Sequence, residues 1–307
     1  MKILVLGAGG VGGYFGAQLL RSGCDVTFLV RPARKALIDT QGLAVETPRG
    51  NFVVRPRTVT ADDVTPDHDL IVLTPKAYDL DEALASLSGA WGERAVALPF
   101  LNGMDHMDTL DARLGRRRVM GGVAQIAATV TPAGAVRQLS GLHILTVGAR
   151  DDAHAGLARA FVERCRQAEF DSALADDIEQ SLWDKWVFLA ALAGMTTLCR
   201  GSIGEIASTP FGKALAVSMY DECCRVAEAF GHPIGAAARA RALPLLTDAG
   251  SSFTASMLRD LQAGRPTEHE HVLGALARRG IAQGLQTPLL QLAHTHMAVQ
   301  AGARRGG

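Results

Sequence analysis

Lys2-Ile-Leu-Val-Leu-Gly-Ala-Gly-Gly-Val-Gly12 is the stretch that decides the fold. Residues 2–6 are a short apolar run that stops at glycine, as a buried parallel strand does. Gly7, Ala8, Gly9, Gly10, Val11 and Gly12 then fit G-x-G-x-x-G, a helical pattern runs over 11–22, and Gly23 ends it. Residues 26–30 read as the next strand. The three glycines of the pattern permit, in turn, a tight turn out of the strand, close approach of backbone to a pyrophosphate, and close packing of helix on strand. The N–H groups and positive dipole end of such a helix receive phosphate. A glycine-rich turn without a ligand has the same composition, but the strand before it and the helix and strand after it favour a dinucleotide site.

Outward from this unit, residues 70–74 and 95–101 read as buried strands, and 43–46 and 52–59 as short ones in a looser stretch from 34 to 69. Residues 80–87 and 152–168 look helical. Residues 119–130, 135–139 and 142–147 read as later strands, with a turn at Pro132-Ala-Gly134. Strands alternating with helices imply a parallel sheet covered on both faces. From Asp176 onward nearly everything is helix-patterned, broken at 201–204, 231–235 and 264–266, before a polar tail at 302–307. The expectation is an α/β N-terminal Rossmann-type domain over 1–175 and an all-α C-terminal domain over 176–307.

Composition excludes several classes. Lys plus Arg and Asp plus Glu are 31 each among 307 residues, so no basic excess draws the chain to nucleic acid or an acidic membrane. No apolar run has the length of a membrane span. The five cysteines show no paired metal spacing, and a reduced, cytoplasmic protein is the simplest account. The apolar helices of the second half suit a homodimer interface or the core equally.

Cofactor choice is read at the end of the second strand. An NAD enzyme usually carries an acidic residue there. Here Thr27-Phe-Leu-Val30 ends on Arg31, with Arg34 close by and no Asp or Glu. A guanidinium pairs with a 2′-phosphate where a carboxylate would repel it, so NADP(H) is favoured. Arg31 as a solvated loop charge is the plainer reading.

The landmarks beyond the glycine turn are Arg31, Thr74-Pro-Lys76, Asn102-Gly-Met104, Trp183-Asp-Lys185, Ser256-Met-Leu-Arg-Asp260 and Pro266-Thr-Glu268. With them the chain resembles the ketopantoate reductase (2-dehydropantoate 2-reductase) family over essentially its whole length. The resemblance implies a Rossmann domain followed by a helical domain, with substrate in the cleft between them. It implies NADPH-dependent reduction of 2-dehydropantoate to pantoate in pantothenate biosynthesis, or of another small 2-oxo acid or related ketone. It assigns Lys185 as catalytic, with Glu268 as the carboxylate near substrate and lysine. The chemistry agrees: reducing a ketone needs a proton on the developing alkoxide, and an ammonium supplies it. Lys185 lies in the apolar stretch 182–189, where a lysine either reaches for the surface or is held in a pocket. Glu268 also suits the N-terminus of a helix. Asn102 and Lys76, at strand ends, approach cofactor or substrate, and Ser256 offers substrate a hydroxyl or is a helix-surface serine.

The departures concern substrate. Where the family has asparagines four and eight residues after the lysine, this chain has Leu189 and Ala193, and Phe253 replaces an asparagine before the serine. Asp79 replaces a frequent glutamine. Losing groups that hydrogen-bond a polar substrate changes substrate preference, so a dehydrogenase acting on a more apolar substrate is the second reading. A dinucleotide-binding protein without turnover is the third. No metal is expected. His269-Glu270-His271 are successive helical residues pointing apart, and His294 with His296 fare no better. Arg116-Arg-Arg118 reads as a solvated turn.

Overall fold

The opening run is strand β1 (Lys2–Leu6), with four of its five residues buried, in a computed structural model that describes residues 1–303. The last four residues of the expected polar tail, 304–307, lie outside the described residues. After β1 come β2 (Asp25–Leu29), β3 (Leu43–Glu46), β4 (Phe52–Val54), β5 (Arg57–Val59), β6 (Leu70–Leu73), β7 (Val96–Pro99), β8 (Gly121–Val130), β9 (Val136–Gly148) and β10 (Asp171–Leu174). The helices are α1 (Gly10–Arg21), α2 (Pro32–Gln41), α3 (Leu80–Ser86), α4 (Asp105–Leu114), α5 (Ala155–Cys165), α6 (Ile178–Cys199), α7 (Ile203–Ala207), α8 (Gly212–Ala229), α9 (Ala236–Thr247), α10 (Ser256–Gln262), α11 (Ala275–Ala282) and α12 (Pro288–Ala303).

Contacts divide the chain into two compact units. One is Met1–Leu101 with His106–Ser181; the other is Asn102–Asp105 with Leu182 onward. Each has its own apolar core. The first sheet is parallel throughout, in the order β5-β2-β1-β6-β7. Chain order reverses between β1 and β6, the switch point at whose carboxyl edge α/β sheets bind ligands.

The expected parallel sheet is present, and a second sheet joins it. This second, mixed sheet runs β10-β9-β3-β4, with β8 antiparallel to β9. The apparent strand over 52–59 is two strands, one in each sheet, because Arg55-Pro56 breaks the ladder where proline has no N–H to give. The two strands read over 135–147 are one, β9, continuous through Ser140-Gly141, where its pairing with β8 shifts register between Gln138 and His143. Helix α2 replaces part of the looser stretch. It buries only Ile38, so no apolar stripe announces it. Helix α4 and strand β10 are likewise additions. Arg116–Arg118 form a turn whose first two arginines are exposed as expected, but Arg118 is half-buried and donates to the Gly92 and Ala95 carbonyls.

The helical unit is built around α6, which is apolar on nearly every side between Trp183 and Met195 and buried accordingly. Its buried carboxylate Glu222, on α8, is satisfied by backbone: Leu289 and Leu290 N–H donate to it at 3.2 and 2.8 Å. That places negative charge at the N-terminus of α12, where the helix dipole favours it. Among the described residues, no helix is long and apolar enough to cross a membrane.

Candidate active site

In the N-terminal unit the glycine turn leaves β1 and enters α1. Gly7 N–H donates to Leu29 O at 2.9 Å, and Thr74 Oγ1 donates to Leu6 O at 2.9 Å, so the turn is tied to both neighbouring strands. A methyl at Gly12 would overlap Thr74 Oγ1 and the Gly7 carbonyl, which is why the helix can sit this close only with glycine there. Gly9, the N-cap of α1, has nothing within 4 Å of where a Cβ would be. These residues therefore leave a backbone-lined space at the N-terminus of a 12-residue helix, which fits a pyrophosphate.

The two arginines after the second strand part company. Arg34 is spent on backbone, donating to Gly134 O at 2.7 Å and to Ala8 O at 3.0 Å, where it braces the turn. Arg31 ends β2's extension with its side chain 72% exposed and pairs with Glu82 at 3.0 Å. A pair this exposed contributes little, so Arg31 can turn to a phosphate. Lys76 is half-buried just after β6, before the turn Ala77–Asp79. The bracing roles of Thr74 and Arg34 carry no local sequence signal, since both depend on segments brought together from far apart.

In the helical unit three of the anticipated residues converge. Glu268 is 5% exposed and its Oε2 accepts from Asn102 Nδ2 at 3.2 Å. Lys185, on the second turn of α6, is half-buried as a residue, and protein surrounds its ammonium. Burial pushes that ammonium down to about 8, and the charge of Glu268 opposes the shift. Desolvation wins here, so the lysine can hold a proton near neutrality and release it readily. Asn102 follows β7 in sequence, yet it belongs by its contacts to the helical unit. Gly103, at φ +79°, sits where any Cβ would overlap the His271 carbonyl, and Arg279 pairs with Asp105.

One element frames the whole group. The backbone after Glu268 makes a π turn, Glu270–Gly274, of the kind that recurs at functional sites. Trp186 Nε1 donates to Val272 O in that turn at 2.9 Å, locking α6, and with it Lys185, beside Glu268. Ser256 opens α10 half-buried and, among the described residues, is hydrogen-bonded to none of the three. Leu189 is half-buried and Ala193 fully buried on the lysine's helix, and Phe253 stacks on Phe188 with ring centroids 6.4 Å apart.

The sequence pattern of the ketopantoate reductase PanE/ApbA family matches residues 3–152, and that of its C-terminal part matches 177–300. The oxidoreductase YkpB of Bacillus subtilis, named as uncharacterized, is 31% identical over 297 residues, covering 97% of this chain and 98% of that one. A 2-dehydropantoate 2-reductase of Archaeoglobus fulgidus is 28% identical over 284 residues, 92% of each chain. The crystal structure of 2-dehydropantoate 2-reductase from Geobacter metallireducens superposes with a TM-score of 0.87 at 26% identity, over 97% of this chain and 99% of that one. With both parts matched in order along nearly its whole length, the chain belongs to the ketopantoate reductase PanE/ApbA family, NADPH-dependent oxidoreductases that act on a CH–OH donor.

Proposed function

We propose that this chain reduces the carbonyl of a small 2-oxo acid to the secondary alcohol with NADPH, with 2-dehydropantoate, the substrate named for its relatives, as the leading candidate. Bound NADPH supplies the hydride. The glycine turn, Gly7 to Gly12, holds the pyrophosphate, Arg31 the 2′-phosphate, and Lys76 approaches cofactor or substrate. Lys185 gives its proton to the carbonyl oxygen as negative charge develops there. Glu268 keeps that lysine charged, and Asn102 orients Glu268 and reaches the substrate or the nicotinamide ribose. Ser256 offers its hydroxyl to the substrate. The observation that carries this reading is the protein-surrounded ammonium of Lys185 in the same unit as the buried, Asn102-bound carboxylate of Glu268, an arrangement in which burial pushes the ammonium down to about 8. Five free cysteines suit a reducing cytoplasm, and making pantoate would place the enzyme in pantothenate biosynthesis.

A second reading rests on Leu189, Ala193 and the Phe188–Phe253 stack, which offer no amide to a polar substrate. A more apolar 2-oxo acid would then be preferred. Following NADPH absorbance across a panel that begins with 2-dehydropantoate and extends to branched and aromatic 2-oxo acids separates the two. The highest kcat/KM falls on 2-dehydropantoate in the first reading and on a bulky member in the second. NADPH binding with no turnover of any member overturns both.

Arg31→Ala should raise the KM for NADPH by about tenfold and leave that for NADH nearly unchanged, since one charge-assisted contact is lost only with the phosphorylated cofactor. Equal effects on both cofactors in steady-state kinetics would remove Arg31 from the phosphate site.

A further inference from the structure

Helix α12 carries His294 to the turn that follows Glu268. His294 Nε2 lies 2.7 Å from Glu270 Oε1, and His269 Nε2 lies 3.8 Å from the same oxygen. The two imidazole rings are 5.6 Å apart between centroids, and the three donor atoms all lie within 4.8 Å of one another. A single His–Glu hydrogen bond would account for the shorter contact. It would not account for a second imidazole directed at the same oxygen.

The second polar atoms of His269 and Glu270 are held as outer partners hold metal ligands. Thr267 Oγ1 lies 2.9 Å from His269 Nδ1, which leaves Nε2 turned to the cluster. Arg278 donates to Glu270 Oε2 at 3.0 Å, which leaves Oε1 turned to it. Gly274 completes the arrangement: a Cβ there would stand 2.9 Å from both Glu270 Oε2 and His294 Nε2, against the cluster itself. Two imidazoles and one carboxylate, with a fourth position left for water, are the donor set of a borderline divalent ion. Tetrahedral zinc separates its donors by about 3.4 Å, a value bracketed by the two imidazole distances to Glu270 Oε1, 2.7 and 3.8 Å.

We propose that His269, Glu270 and His294 form a binding site for a divalent transition-metal ion, with zinc as the first to test, which ties α12 to the π turn. Chelator-treated full-length protein titrated with Zn²⁺ in a calorimeter should bind one ion per chain. Co²⁺ in its place should give the visible absorption of a tetrahedral ion. His294→Ala should lose both signals, His271→Ala and His296→Ala should keep them, and Thr267→Val should weaken binding by about tenfold to a hundredfold. Zn²⁺ should also raise the thermal midpoint of the wild type and not of His294→Ala. If His294→Ala fails to fold, His269→Gln and Thr267→Val carry the same comparison. Wild type that binds no Zn²⁺, or binds it as tightly as the folded His294→Ala or His269→Gln variant, overturns the site.

Discussion

Lys185→Ala should lower kcat by about 10²- to 10⁴-fold while the dissociation constant for NADPH stays where it was, because the loss falls on the proton and the developing alkoxide. Lys185→Arg should rescue little, since a guanidinium keeps the charge but does not give up a proton near neutral pH. The pH profile of the wild type tests the same group. Burial lowers the lysine from its ordinary 10.5 to about 8, so it is charged below that value and neutral above it. Reduction requires the charged form. Its kcat/KM should therefore be flat on the acid side of about 8 and fall roughly tenfold per unit above it, and Lys185→Ala should lose that alkaline limb. Stability moves in the opposite sense. Between about 8 and 10.5 the unfolded chain binds a proton that the folded chain does not, so the wild type gains stability as pH rises through that window. Lys185→Met should be at least as stable as the wild type at pH 7 and lack this dependence. A variant that unfolds yet loses little kcat per folded molecule would make the lysine structural.

What could be read from the sequence, and what could not, follows from the range of the interactions. The turn from Gly7 to Gly12 is local: its chemistry is complete within one strand and one helix, and the spacing of three glycines states it. Lys185 also announced itself, as the one basic residue in a strongly apolar stretch that holds Asp184 as its only other charge, though its neighbours Leu182 and Trp186 could not say whether it reached solvent. Other features had no local mark. Helix α2 buries a single residue, Ile38, so hydrophobic period is silent there, and Arg34's two carbonyl partners lie 26 and 100 residues away. Asn102 and Glu268 are 166 residues apart, and only the family resemblance joined them before the fold did. The rule that neighbouring helical side chains diverge set His269, Glu270 and His271 apart, yet His269 Nε2 lies 3.8 Å from Glu270 Oε1 and only His271 stands outside the cluster. It could not anticipate that α12 would deliver His294 to the other two.

Glu268→Gln is the sharper test of how the site is wired, because it removes a charge and almost no volume. An opposite charge beside a buried lysine typically raises its pKa by about one to three units, so without it the ammonium of Lys185 should fall from about 8 by a comparable amount. The alkaline limb of kcat/KM should shift down with it. At pH 8 a fall of one unit leaves about fivefold less charged lysine, and two units about fiftyfold less, with the deficit shrinking as pH is lowered. A glutamine can still meet Asn102, since its carbonyl oxygen accepts the same Nδ2–H that Glu268 accepts at 3.2 Å. The loop at Asn102 and the π turn should therefore stay in place, and the thermal midpoint should change little. Glu268→Asp keeps the charge on a shorter arm and should hold the limb closer to that of the wild type, even where positioning suffers and kcat falls. A Glu268→Gln enzyme whose activity drops equally at every pH, with its limb still near 8, would mean that Glu268 binds substrate without governing the lysine's proton.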